Sequence, residues 1–261
     1  MNKQIVIEHL GHSAIVTIDN PPANAWTLES LQALASAMEL LGSEQQVNAV
    51  VLTGAGEKFF SAGADLQQFA AGDETLAAQV ADAFALAFNS IRHFHGVTVA
   101  AVNGYALGGG LECALACDYI VAERGARLGL PEASVGLIPC AGGTKALADR
   151  VGVAWAKRII LGGETVDADL ALRIGVVEEV VDAGLAKIMA VSLAGKVSRQ
   201  SRSAVLAARR LIDGSPQSTL DRQLLLEKAA FLELMGGAEQ LEGVRAFLEK
   251  RQPSWLADDD D

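Results

Sequence analysis

With 261 residues, 51% of them hydrophobic, the chain can bury a large domain with a smaller appendage, and its composition excludes general disorder. A formal net charge of −11, with no Lys/Arg cluster interleaved with aromatics, argues against nucleic acid or an anionic membrane surface as partner. No apolar run approaches about 20 residues free of charge or glycine, so no membrane span is expected.

The start, Met1–Gly11, carries Lys3 and a short alternating run without the long apolar segment of a secretory signal. Ile5–Glu8 and Ala14–Ile18 alternate apolar and polar residues and predict two strands turning at Gly11. Asn20-Pro-Pro22 reads as a loop, and Thr27 as the cap of a helix reaching about Leu41. Ala49–Thr53 predicts a buried strand, followed by the loop Ser61-Ala-Gly-Ala-Asp65. Thr75–Phe94 predicts a long helix and Val97–Val102 another buried strand. Gly104–Gly110 reads as a glycine-rich turn feeding a helix over Leu111–Ala116, and Tyr119–Ala122 as a strand. Strand, loop and helix recurring in this order predict an α/β architecture with parallel pairing.

From Gly142 onward the periodicity is helical: 146–151, 154–161 and 167–172, then a short strand at 176–181. Helices follow over 185–197, 202–211, 218–234 and 240–249. The expected division is 1–196 for the core that holds the site and 197–261 for a helical C-terminal module. The run Asp258–Asp261 reads as a solvated end. Cys113, Cys117 and Cys140 are too few and too poorly spaced for a disulfide framework or a metal site, so no metal is expected. They read as reduced thiols of a cytoplasmic protein.

Two loops carry the candidate chemistry. Phe60-Ser-Ala-Gly-Ala-Asp-Leu66 and Asn103-Gly-Tyr-Ala-Leu-Gly-Gly-Gly-Leu-Glu-Cys113 each follow a predicted strand. Small residues at a strand end and a helix start let a ligand oxygen approach unpaired backbone N–H groups. Gly108–Gly110 alone would be read as close helix–sheet packing, but the second loop of the same character favours an oxyanion site. Neither loop has dinucleotide-binding glycine spacing, and Gly142-Gly-Thr-Lys145 lacks the spacing of a phosphate loop. Glu112 and Glu132 both lie among small and apolar residues, where a carboxylate is costly unless it is used or hydrogen-bonded. Together, beside an oxyanion loop, they suggest an acid–base pair.

These segments, with Val50-Val-Leu-Thr-Gly54, Cys117-Asp-Tyr-Ile-Val-Ala122, Leu130-Pro-Glu132 and Val135-Gly-Leu-Ile-Pro-Cys-Ala-Gly-Gly-Thr144, resemble the crotonase, or enoyl-CoA hydratase/isomerase, superfamily. Glu242-Gly-Val-Arg-Ala-Phe-Leu-Glu-Lys-Arg251 also fits, so the resemblance covers essentially the whole chain. It implies a spiral of ββα turns with a C-terminal helical module, assembled as a homotrimer or a dimer of trimers. It assigns the oxyanion N–H groups to Ala64 and Gly109, and coenzyme-A contacts to Ala62, Ala64, Asp65, Leu66, Gly108, Gly109, Phe247 and Lys250.

Hydratases of the family carry two glutamates, which fall on Glu112 and Glu132, twenty residues apart as in those enzymes. The implied substrate is an enoyl-CoA thioester, with coenzyme A part of the substrate and no other cofactor. Rival readings are a double-bond isomerase in which Glu132 shuttles the proton, and a non-catalytic scaffold that binds the thioester. Three departures from the family text are notable. Cys140 replaces a glycine whose N–H helps hold water. Gln67 stands where many members have a lysine near the phosphates. Trp26 sits in altered text, either near the pantetheine entrance or as a core residue.

Overall fold

The computed structural model describes residues 4–256. It divides into two compact units, Met1–Ala194 and Gly195–Asp261. The terminal run Asp258–Asp261 lies outside the described residues.

In the N-terminal unit β1 (Ile5–Leu10) and β2 (Ser13–Ile18) form an antiparallel hairpin through Gly11. Helix α1 (Leu28–Ser43) starts in a reciprocal capping box: Ser30 N–H donates to Thr27 Oγ1 at 3.2 Å and Thr27 N–H to Ser30 Oγ at 2.8 Å. Both donors belong to the helix start, where no intrahelical acceptor exists.

Three ββα turns follow. The first is β3 (Ala49–Gly54), β4 (Phe59–Ser61) and α2 (Glu74–Arg92), and the second is β5 (Val97–Val102), β6 (Tyr105–Leu107) and α3 (Gly109–Leu115). The third is β7 (Tyr119–Glu123), β8 (Arg127–Gly129) and α4 (Gly143–Gly162), with a 3₁₀ turn over Glu132–Val135 before the helix. β9 (Val166–Asp167), α5 (Ala168–Ile174) and β10 (Glu179–Val181) complete the sheets, and α6 spans Ala186–Ser198. The first strand of each turn enters a six-stranded sheet ordered β1-β2-β3-β5-β7-β10, parallel apart from the hairpin. The second strand enters a four-stranded sheet ordered β4-β6-β8-β9. This is the α/β spiral expected from the family resemblance.

Every residue of β3 and β5 is buried, which is why these strands read as continuous apolar runs rather than alternating ones. Val80, Phe84, Ala87, Phe88 and Ile91 form the buried stripe of α2, at helical spacing.

The second sheet departs from the sequence reading. Gly104–Gly110 is not one turn, because Tyr105–Leu107 forms β6 inside it. β4, β8 and β9 are likewise two- or three-residue strands that the sequence reading did not assign, and Asp167 of β9 was expected to open a helix. Runs that short carry no periodicity, and their pairing is set by where the first sheet leaves the chain. The strand expected over 176–181 is confined to Glu179–Val181. The helices expected over 146–151 and 154–161 are both present within α4, meeting at a kink at Gly152, whose φ is 77°.

The C-terminal unit contains α7 (Arg202–Gly214), α8 (Leu220–Leu234) and α9 (Ala238–Glu249). Ser201 and Thr219 cap α7 and α8. Glu239 accepts from the Ser203 N–H at 3.0 Å and the Ser203 hydroxyl at 2.8 Å, tying α9 to the start of α7. Leu220, Leu225, Phe231, Phe247 and Leu248 are all exposed. Among the described residues no helix is long and apolar enough to cross a membrane.

Candidate active site

Glu112 occupies the first turn of α3 and is 2% exposed. Its Oε1 accepts from the Ala141 N–H at 2.8 Å and the Gly143 N–H at 2.8 Å. Those amides sit where the chain enters α4, so the Gly142–Gly143 pair serves to hold a carboxylate. A Cβ on Gly143 would lie 2.8 Å from Glu112 Cγ and Oε1, so only glycine brings that N–H within reach. Burial raises the pKa of Glu112, while the Gly143 and Ala141 amides, Arg92 and the Cys140 amide oppose the rise.

Glu132 opens the 3₁₀ turn after β8. Its Oε1 lies beside the α3 cap, 3.2 Å from where a Gly108 Cβ would be. Its Oε2 is buried and has no hydrogen-bond partner among the described residues. Burial, reinforced by the negative charge of Glu112, pushes the Glu132 carboxyl up to about 7. One carboxyl is thus gripped by amides that favour its ionised form, and the other is poised to carry a proton near neutrality.

The two glycine loops meet beside this pair. Trp26 and Ala64 form a parallel bridge, with Trp26 N–H donating to Gly63 O at 2.8 Å and Asp65 N–H to Trp26 O at 2.9 Å. That pattern uses the Gly63 carbonyl and the Asp65 N–H, and the Ala64 N–H takes no part in it. Gly109 is the first residue of α3, so its N–H has no acceptor four residues back. The loops are in contact: a Cβ on Gly63 would lie 2.7 Å from Leu107 O and 3.2 Å from the Gly109 nitrogen. Trp26 is fully buried, edge-on to Phe88 with centroids 5.9 Å apart, so it is a core residue behind the loops.

A cavity of about 560 Å³ is lined by Ala62, Ala64, Leu66, Gly108, Gly109, Glu112 and Glu132 together. Phe69, Ala77, Ala81 and Phe84 make an apolar wall, and Leu137, Ile138 and Cys140 line it as well. A larger cavity, about 850 Å³, lies at the corners joining the two sheets and contains neither glutamate.

Asp65 is not on the wall; its Oδ1 accepts from Gln67 N–H at 3.0 Å and caps the 3₁₀ turn Leu66–Phe69. Phe247 is exposed on α9 and Lys250 closes that helix in the left-handed region, both within the C-terminal unit. Sequence reasoning missed the amides of Ala141 and Gly143 as partners of Glu112. The available signal was a glycine pair at a helix start with no phosphate-loop spacing.

The Cys140 thiol is pushed up to about 11 by burial and by Glu112 and Glu132, so it stays protonated at neutral pH. Cys140→Gly should therefore retain kcat. Abolished turnover, or an acyl group on Cys140 found by mass spectrometry, would contradict this.

The family model for enoyl-CoA hydratase/isomerase matches residues 11–258. The chain is 36% identical to the 2,3-dehydroadipyl-CoA hydratase of Escherichia coli K12, over 97% of this chain and 98% of that protein. It is 35% identical to the short-chain-enoyl-CoA hydratase of Clostridium acetobutylicum, over 95% of each. Among solved structures, DspI of Pseudomonas aeruginosa is 51% identical with a TM-score of 0.94, over 97% of each chain. The enoyl-CoA hydratase of Bacillus anthracis is 34% identical with a TM-score of 0.92, over 96% of this chain and 98% of that one. By sequence over nearly its whole length and by fold, the chain belongs to the enoyl-CoA hydratase/isomerase family.

Proposed function

We propose that this chain is an enoyl-CoA hydratase, adding water across the 2,3 double bond of an enoyl-CoA to give a 3-hydroxyacyl-CoA. The observation that carries the reading is the pair of unlike carboxyls on one cavity: Glu112 gripped by two amides, Glu132 pushed up to about 7. Relatives named as hydratases, near 35% identity over almost the full length, support it.

In this mechanism the thioester oxygen accepts from the N–H groups of Ala64 and Gly109, which stabilise the charge that develops there. Glu112 removes a proton from water as the hydroxyl adds to the β-carbon, and Glu132 delivers its proton to the α-carbon. The proton gained by Glu112 returns through solvent to Glu132, closing the cycle. This chemistry calls on no metal or redox group, and coenzyme A arrives as part of the substrate, with Ala62, Asp65, Leu66, Gly108, Phe247 and Lys250 as its proposed contacts.

Purified protein given crotonyl-CoA should consume the enoyl absorbance, with oxygen from labelled water appearing in the product. Migration of the double bond without oxygen incorporation would replace this reading by an isomerase. Inertness across short and long enoyl chains would replace it by a scaffold.

The division of labour we assign is catalysis to residues 1–196 and assembly to 197–261, in a cytoplasmic trimer or dimer of trimers. The exposed apolar residues of α8 and α9 support assembly, because a solvated helix gains nothing from them. The free thiols Cys113, Cys117 and Cys140 suit a reducing compartment. Sedimentation equilibrium should give three or six subunits, and truncation after residue 235 should break the assembly and raise KM. A fully active monomer at micromolar concentration would refute it.

A further inference from the structure

Arg92 is the last residue of α2, about two turns beyond Phe84, where that helix stops walling the cavity, and it does not line the cavity itself. Its half-buried guanidinium reaches the loop that enters α4: Nη2 donates to Ala141 O at 3.0 Å, and Nη1 is steadied by Asn89 Oδ1 at 3.1 Å. The carbonyl it holds lies between the two amides, of Ala141 and Gly143, that grip Glu112 Oε1 at 2.8 Å each. Gly142 takes φ 99° between them, which turns the carbonyl and the amides to different partners. A Cβ on Gly142 would lie 3.0 Å from Arg92 Nη2, so this glycine also makes room for the guanidinium.

We propose that Arg92 is a positioning residue for Glu112: it holds the Ala141 carbonyl, so that the Ala141 and Gly143 amides keep the carboxylate aimed into the cavity. This rests on the hydratase reading, in which Glu112 handles the proton of water. The contact is more than a tether, because the positive charge also favours the ionised form of Glu112. Other ionisable groups face this carboxylate. Glu132 on the 3₁₀ turn and Cys140 on the loop each interact with its charge, and Cys113 of α3 and Cys117 just beyond that helix interact with Arg92. Among the described residues Arg92 is the cation that opposes the burial of Glu112, so its removal leaves that burial opposed by amides alone. A lysine keeps the charge but lacks the planar fork that reaches both the Ala141 carbonyl and Asn89.

The test compares Arg92→Gln and Arg92→Lys with the parent, each checked by circular dichroism. Crotonyl-CoA kinetics are followed against pH, and the Glu112 carboxyl is titrated by ¹³C NMR, assigned with Glu112→Gln. Arg92→Gln should lower kcat roughly 10- to 100-fold, the scale of a slightly misplaced group, with KM little changed. Both the acid limb of kcat/KM and the Glu112 titration should move to higher pH. Arg92→Lys should keep the titration near the parent's while kcat stays between the two.

A purely structural tie would lower stability and leave both titrations in place; that result, or a parental kcat in folded Arg92→Gln, overturns the proposal. If Arg92→Gln does not fold, Arg92→Lys decides: a lowered kcat at unchanged KM supports the proposal and a parental kcat overturns it. A parent inert toward enoyl-CoA would refute the hydratase reading, and the NMR titration would still decide whether Arg92 controls Glu112.

Discussion

Replacing Glu112 or Glu132 by glutamine should lower kcat for hydration by roughly 10²–10⁴, the usual worth of a positioned proton-transfer group. Glutamine keeps the shape of each side chain. At Glu112 its amide oxygen can still accept from the Ala141 and Gly143 N–H groups, so the variant should fold. Near-parental hydration by Glu132→Gln would sink the assignment of the proton donor. The pH dependence follows from the same geometry. Hydration needs Glu112 ionised and Glu132 protonated, so kcat/KM should fall on the alkaline side through about pH 7 as Glu132 loses its proton. It should fall on the acid side through the Glu112 pKa, which burial places above the usual 4.5.

Glu132 also links activity to stability. Its pKa in the fold, about 7, exceeds the ordinary 4.5, so the native state binds this proton more tightly than the unfolded chain. That stabilisation is fully present below the unfolded value and is lost as pH rises through about 7. Glu132→Gln should therefore raise Tm relative to the parent at pH 8.5 and not at pH 4. Equal Tm differences at both values, read by differential scanning calorimetry, would show that the carboxyl is not desolvated in the native state.

The second large effect is expected at Gly109. Proline there removes the N–H assigned to the oxyanion, and one such donor is worth roughly 10²–10³ in kcat. Any Cβ at this position meets Phe84 Cε1 at 2.8 Å, so a steric cost must be separated from the electrostatic one. Gly109→Ala supplies that control, because it adds the Cβ and keeps the donor. The measurement is the ratio of kcat between Gly109→Ala and Gly109→Pro, both verified as folded. A ratio near one would mean that the Gly109 N–H does not face the substrate oxygen.

Much of the proposed site was legible because its groups are local in the chain. Gly108–Gly110 precede Glu112 on one helix start, so the donor N–H and the carboxylate are separated by three residues and one turn. The buried strands β3 and β5 were legible because burial on both faces makes every position apolar. Glu132 was legible as a carboxylate among small residues, but the burial and the Glu112 charge that raise its pKa, like its place beside Gly108, belong to the tertiary fold.

The sequence by itself determined the local elements: the cap at Thr27, the stripe of α2, the parallel strands and the glycine-led start of α3. Each depends on neighbours within a few residues, where propensity, periodicity and capping act. Only the tertiary structure decided which distant groups share the site. The loop of Ala64, bridged to Trp26, meets the loop of Gly109 at Gly63, and Glu112 is answered by amides about thirty residues further along the chain. It also decided the second sheet, whose two- and three-residue strands are too short to declare themselves. Short strands gain stability only from partners that the rest of the fold has already placed, and hydrogen bonds across such separations leave no periodic trace in the chain.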